Sequence, residues 1–140
     1  MFVLDTNILS AMMRPVRVPQ VAAWVAARPD ERLFTTTVSE AEILSGIAIL
    51  PQGRHRLALE SAARTIFMAD FEGRVLPFDM EAATAYADIF AARRRAGRPT
   101  APLDLMIASI ARSRAASVVT RDSSDFAGCG VPVIDPWIVG

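Results

Sequence analysis

The hydrophobic positions of this chain follow two patterns, and the two alternate. Five short runs are mostly apolar on consecutive positions: Phe2-Val3-Leu4, Leu33-Phe34-Thr35-Thr36, Arg74-Val75-Leu76, Ser117-Val118-Val119-Thr120, and Val131 to Ile134. Brief runs without in–out alternation suit strands buried on both faces, as in a parallel sheet covered by helices. Between them the apolar residues recur at helical spacing. Ser39 is expected to open one helix, with Glu42 three residues on and Ala41, Leu44 and Ala48 along one face. Arg54 to Ala69 predicts a second helix. Asp79 caps a third, in which Ala83, Tyr86 and Phe90 share a face; Arg93, Arg94 and Arg95 close it and Gly97 stops it. Pro102 suits the first turn of a fourth helix, running to about Ala115. Leu9 to Ala27 reads as helical, broken around Pro15 and Pro19. The alternation predicts one α/β domain over residues 1–140, with a mostly parallel five-stranded sheet.

Composition narrows the function classes. A chain of 140 residues buries a core large enough to fold without disulfides or a structural metal. Its 52% hydrophobic and 21% charged residues exclude a disordered chain. Fifteen basic and 15 acidic residues leave no net charge, so a globally basic nucleic-acid binder is not supported, although a local basic patch is. Every basic residue is arginine, a bias in keeping with a GC-rich genome. The missing lysine excludes a P-loop and Schiff-base chemistry. The single cysteine, Cys129, sits in a Gly-Cys-Gly turn, makes no internal disulfide, and is expected to be an inert thiol in a reducing cytoplasm. Apolar runs such as Val21 to Ala27 fall far short of the roughly 18–20 residues of a membrane span. No targeting segment is evident, and a soluble, cytoplasmic protein is expected.

Placed on this fold, the acidic residues form a pattern. Ligands of such sheets bind at the carboxyl ends of the strands. Asp5 follows the first strand, Glu42 lies in the first turn of the helix after the second, and Asp122 follows the fourth, with Asp125 a turn later. Asp104 opens the helix that leads into the fourth strand; a crossover helix runs antiparallel to its strands, so its start lies near the same edge. Each acid alone also has a plain structural reading. Ser39-x-x-Glu42 is a capping box, Asp5 and Asp104 suit helix starts, and Asp122 and Asp125 suit a loop. As a set they converge, and converging carboxylates need a cation or must take up protons. Hard oxygen donors without histidine favour Mg²⁺ or Mn²⁺ over zinc. Such an ion polarises phosphoryl groups, generates hydroxide and stabilises a leaving oxygen, which is a nuclease design.

The same residues carry a family resemblance. Asp5-Thr6-Asn7-Ile8-Leu9-Ser10 resembles the opening of PIN-domain proteins, especially the VapC/FitB-type toxins of bacterial toxin–antitoxin pairs. Ser39-x-x-Glu42-Ile43-x-x-Gly46 resembles their second motif and Asp104-x-x-Ile107-Ala108-x-x-Ala111 the third. Thr120-Arg121-Asp122-x-x-Asp125-Phe126, followed by Gly128 to Trp137, resembles the fourth motif and the C-terminal strand. The resemblance spans almost the whole chain in order. It implies a three-layer α/β/α sandwich and a Mg²⁺- or Mn²⁺-dependent endoribonuclease. It maps the metal and catalytic acids onto Asp5, Glu42, Asp104 and Asp122, with Asn7 and Thr120 as orienting neighbours. A homodimer and a cognate antitoxin are implied as well. Two positions depart from the pattern. Many members carry asparagine where Asp122 stands and use the acid equivalent to Asp125; this chain has acids at both, and Asp122 is favoured. Asp135-Pro136-Trp137 replaces a common Asn-Pro-Trp and reads as a structural feature of the C-terminus.

RNA needs positive charge near the acids. Arg121 is the leading candidate because it adjoins Asp122; Arg93, Arg94, Arg95 and Arg98 form one further group, and Arg112 and Arg114 another. Trp24, Trp137, Phe67 and Phe71 read as core or dimer contacts before base-stacking platforms. One histidine, His55, rules out a two-histidine ribonuclease mechanism. A haloacid-dehalogenase-like phosphatase lacks its Asp-x-Asp and its lysine here, and a receiver-type phosphoacceptor domain lacks its lysine. The alternatives that stay open are a PIN-fold nuclease acting on DNA or structured substrates, and a catalytically silent antitoxin-binding module.

Overall fold

The computed structural model describes residues 1–14 and 18–138. Five strands form one sheet in the order β3-β2-β1-β4-β5: β1 is Phe2–Leu4, β2 Leu33–Thr36, β3 Val75–Leu76, β4 Ser117–Val119 and β5 Val133–Ile134. Every neighbouring pair is parallel, so the sheet is more uniform than the mostly parallel one expected. β1 and β2 coincide with the apolar runs, while β3, β4 and β5 are shorter than theirs by one or two residues. Val3 and Val118 face one side of the sheet while Leu4 and Val119 face the other, and both pairs are fully buried. That two-sided burial is why these strands show no in–out alternation.

Among the described residues, seven α-helices cover the two faces: α1 Thr6–Met13, α2 Pro19–Ala26, α3 Thr37–Ala48, α4 Arg54–Thr65, α5 Met80–Arg95, α6 Pro102–Ser113 and the short α7 Ser123–Phe126. One core gathers Ile8 and Leu9 of α1, Trp24 of α2, Ile43 and Ile47 of α3, and Phe67 and Phe71 beyond α4. The other gathers Ala82 and Ile89 of α5, the α6 residues Leu105, Ile107 and Ile110, and Phe126 of α7. The result is the expected three-layer α/β/α sandwich.

Four sequence expectations need correction. Ala41, Leu44 and Ala48 are exposed, and α3 buries Ile43 and Ile47 instead. Ser39 does not open α3; Thr36 is its N-cap, its hydroxyl accepting the Ser39 N–H at 3.1 Å. The register therefore moves up, and Glu42 lies in the second turn rather than the first. The core stripe of α5 is Ala82 and Ile89, while Ala83 is exposed and Phe90, 45% exposed, stacks on Tyr86. The second helix ends at Thr65 and passes into a π-helical turn, Ile66–Asp70. Asp79 caps α5 as expected, accepting from Ala82 N at 2.9 Å, and Gly97 follows it with φ +70°. Pro19 begins α2; the expected break at Pro15 lies outside the described residues.

Candidate functional site

The strand order reverses between β1 and β4. The chain builds outward from β1 to β2 to β3, then returns to place β4 on the other side of β1. Crevices at such reversals, on the carboxyl side, are where parallel α/β sheets hold ligands. Asp5 leaves β1 at this point, and Thr120, Arg121 and Asp122 leave β4 beside it. A cavity of about 340 Å³ opens there, lined by Asp5, Glu42, Asp104 and Asp122 together with Asn7, Arg121 and others. The four acids mapped from sequence are thus brought together from four separate segments.

Asp5 is the N-cap of α1, and at 4% exposure it is the most sequestered of the set. One carboxylate oxygen accepts the Thr6 N–H at 2.8 Å, and the other accepts the Thr120 hydroxyl at 2.7 Å. Asn7 bridges the reversal: its Nδ2 reaches Asp122 Oδ2 at 3.0 Å and Thr120 Oγ1 at 3.2 Å, with Asp5 Oδ2 at 3.4 Å. Its Oδ1 accepts the Arg121 N–H at 3.2 Å. Asp122 N–H in turn donates to Thr120 Oγ1 at 3.0 Å. Asn7 and Thr120 therefore stand where orienting neighbours would. Glu42 has a different attachment. Thr6 Oγ1 donates to Glu42 Oε1 at 2.7 Å and stands 3.0 Å from Ser39 Oγ. The capping-box reading of Glu42 fails for this reason, because its carboxylate faces α1 rather than its own helix start.

The electrostatics of the cavity are unbalanced. Burial raises the Asp5 pKa, and the charges of Glu42 and Asp122 push the same way, while hydrogen bonds from Thr120 and Thr6 oppose them. Asp104 is pushed up to about 6, first by burial and then by the charges of Asp5, Asp125, Glu42 and Asp122. Asp125 thus adds its field to the cluster, although only Asp122 of the two lines the cavity. Among the described residues no arginine or histidine nitrogen lies within 4.0 Å of any of these carboxylates. Repulsion of this kind is relieved by protons or by a cation. Neither do three of these groups already stand close enough, among the described residues, to enclose an ion. An oxygen-only set that is open rather than caged fits a small hard ion such as Mg²⁺, which keeps several waters and takes one or two carboxylates directly.

The basic candidates separate. Only Arg121 of the expected groups lines the cavity. Arg93 bonds Thr100 Oγ1 at 3.2 Å and lies across Gly128, where a Cβ would stand 2.5 Å from its Nη1. Arg114 pairs with Asp79 at 3.6 Å. Three further residues belong to the site. Thr6 is the partner of Glu42, and Ser10 and Arg14 line the cavity with Asn7. The helical step from Asn7 to Ser10 on α1, which ends at its C-cap Arg14, was the available signal. Trp137 was expected in a core or dimer contact; it packs partly against the core and also lines the cavity, with Arg121 over its ring. His55 is exposed near the start of α4, and Cys129 is buried.

The chain is similar to known proteins over most of its length. The PIN domain family matches residues 2–128. The VapC ribonuclease Y4jK of Sinorhizobium fredii (strain NBRC 101917 / NGR234) is 34% identical over 137 residues, 98% of each chain. The toxin FitB of Neisseria gonorrhoeae (strain ATCC 700825 / FA 1090) is 33% identical over 137 residues, 98% of this chain and 99% of that one. Among solved structures, the crystal structure of FitAcB from Neisseria gonorrhoeae superposes with a TM-score of 0.92 at 32% identity, covering 99% of this chain and 100% of that chain. A family match over residues 2–128, with relatives of that identity and coverage, makes this chain a member of the PIN-domain family.

Proposed function

We propose that this protein is a Mg²⁺- or Mn²⁺-dependent endoribonuclease toxin, neutralised by a cognate antitoxin and acting in the cytoplasm as a homodimer. The observation that carries the reading is the gathering of Asp5, Glu42, Asp104 and Asp122 around one cavity with, among the described residues, no arginine or histidine nitrogen within 4.0 Å of them. When bound, a divalent ion supplies Lewis-acid activation of water and neutralises charge at the scissile phosphate. The chain's own residues do the rest. Asp5, Glu42, Asp104 and Asp122 would hold the ion; Asn7 and Thr120 fix the directions of Asp5 and Asp122. Thr6 does the same for Glu42. Asp125 supports the site through its field on Asp104. Arg121 meets a phosphate of the RNA strand.

The names of the relatives support a nuclease and a toxin, since one is called a VapC ribonuclease and the other toxin FitB. An apolar groove beside the cavity shares Glu42 with it and is lined by Val38, Phe78, Leu103 and Met106. An antitoxin segment seated there would reach the acids. Among the described residues no helix is long and apolar enough to cross a membrane.

The test is cleavage of total cellular RNA, tRNA included, by metal-stripped protein supplied with Mn²⁺, Mg²⁺ or EDTA. Discrete products that need the metal and vanish in Asp5→Asn are expected. Equal cleavage by Asp5→Asn, or cleavage in EDTA, would remove the acids from the mechanism. Cleavage of single-stranded DNA or flap substrates in preference to RNA would move the assignment to a DNA nuclease.

A further inference from the structure

Arg121 occupies an unexpected place for a cation beside so many acids. Its backbone N–H is bound to Asn7 Oδ1, and Asn7 also holds Asp122, so the start of the side chain is fixed within the acidic network. Arginine–carboxylate pairs are among the strongest polar contacts available to a side chain. A flexible guanidinium tethered here would be expected to settle on the uncompensated carboxylates. Among the described residues it does not: no carboxylate lies within 4.0 Å of it. Its guanidinium carbon lies instead 5.0 Å from the centroid of the Trp137 ring.

The sheet explains the meeting. β4 and β5 pair in parallel, Val118 with Val133 and Val119 with Ile134, so the segments leaving them emerge side by side at the carboxyl edge. Trp137 is held there independently. Its N–H donates to Asp135 Oδ1 at 2.8 Å, Pro136 before it is buried, and the ring rests on the core that contains Leu4 and Val119. A ring fixed in this way offers its π face to the guanidinium without following it.

We infer that Trp137 is a positioning residue that holds Arg121 off the acids, so that a divalent cation rather than the guanidinium neutralises them and Arg121 stays free for a phosphate of the nucleic acid. The inference rests on the metal-site reading proposed above. It gives a single role to two residues that follow β4 and β5, and it assigns chemistry to the Asp135-Pro136-Trp137 turn, which otherwise reads as structural.

The test measures Mn²⁺ affinity of metal-stripped protein by calorimetry, without RNA. Trp137→Leu keeps an apolar side chain against the core and removes the π face; Trp137→Phe keeps a smaller one. In Trp137→Leu the dissociation constant for Mn²⁺ should rise about fivefold, the scale of a lost cation–π contact. Trp137→Phe should stay near wild type. In Trp137→Leu/Arg121→Ala affinity should return, because the competing cation is gone. Arg121→Ala alone should keep its Mn²⁺ affinity while raising KM for RNA more than it lowers kcat. Unchanged affinity in Trp137→Leu overturns the inference. So does a double variant as weak as Trp137→Leu, since the loss would then be structural. Wild type that binds no Mn²⁺ overturns the metal-site reading and this inference with it.

Discussion

Asp104 shows how position changes the chemistry of a single carboxyl. Its pKa is raised from 3.8 to about 6 because burial and four neighbouring acids disfavour its charged form. The folded, metal-free protein therefore binds this proton more tightly than the unfolded chain does. That stabilising term is complete below pH 3.8 and disappears as pH rises to about 6. Asp5, also raised, acts in the same direction. In EDTA, the melting-temperature advantage of Asp104→Asn over wild type should grow across that window and level off above it; an advantage independent of pH would contradict the assignment. Mn²⁺ binding to the metal-stripped protein should weaken as pH drops through about 6, since proton and cation compete for Asp104. Thr6 makes a second case. Thr6→Val removes the 2.7 Å bond to Glu42 while keeping the shape of the side chain. Groups that orient metal-binding carboxylates typically contribute about 10–100-fold to affinity or activity, and a loss of that size in kcat/KM is expected with little change in melting temperature.

At the level of elements, the start of α3 decides where Glu42 points. Thr36 ends β2 and also caps the helix, so the last strand residue fixes the first helical turn. Thr36→Ala should destabilise the fold by about 1 kcal/mol in urea unfolding, the usual worth of a lost cap. Ser39→Ala leaves that cap in place, because Thr36 accepts the Ser39 backbone N–H rather than its hydroxyl. Equal stability losses in the two variants would return the cap to Ser39. The turn after α7 is equally constrained. Gly128 has φ +78°, a left-handed backbone that an alanine adopts with strain, and Arg93 fills the space where its Cβ would go. The arginines that end α5 thus brace the loop before β5 at Arg93, and the run is more than a solvated helix end.

For the molecule as a whole, the site depends on a sheet clamped between two cores. Phe126 is fully buried in one of them and lies directly after Asp122 and Asp125 in the chain. Phe126→Ala should cost about 3–5 kcal/mol, readable as a lower denaturation midpoint. Because α7 then loses its anchor, Mn²⁺ affinity should fall as well, in contrast to a surface change such as Arg98→Ala. Cation binding should raise the melting temperature more at pH 7.5 than near pH 4.5, where protons already relieve the repulsion.

Much of this architecture was readable along the chain. Mostly apolar runs marked the five strands, because burial on both faces removes the in–out alternation of a half-exposed strand. The caps and stops at Asp79, Gly97 and Pro102 marked helix ends, because unpaired backbone groups must be satisfied locally. The acids Asp5, Glu42, Asp104 and Asp122 were legible from their places after strands and before a crossover helix. What the sequence left open depended on contacts between distant segments. Whether Glu42 caps its own helix or meets Thr6 is a matter of register between α1 and α3, across 36 residues of chain. Whether Asp122 or Asp125 faces the cavity turns on the path out of β4. Whether Arg121 pairs with an acid or an indole depends on β5 lying next to β4. Local pattern records burial and capping, which are properties of neighbours in sequence; the direction of each functional side chain was decided only when the parallel sheet set one strand end beside another.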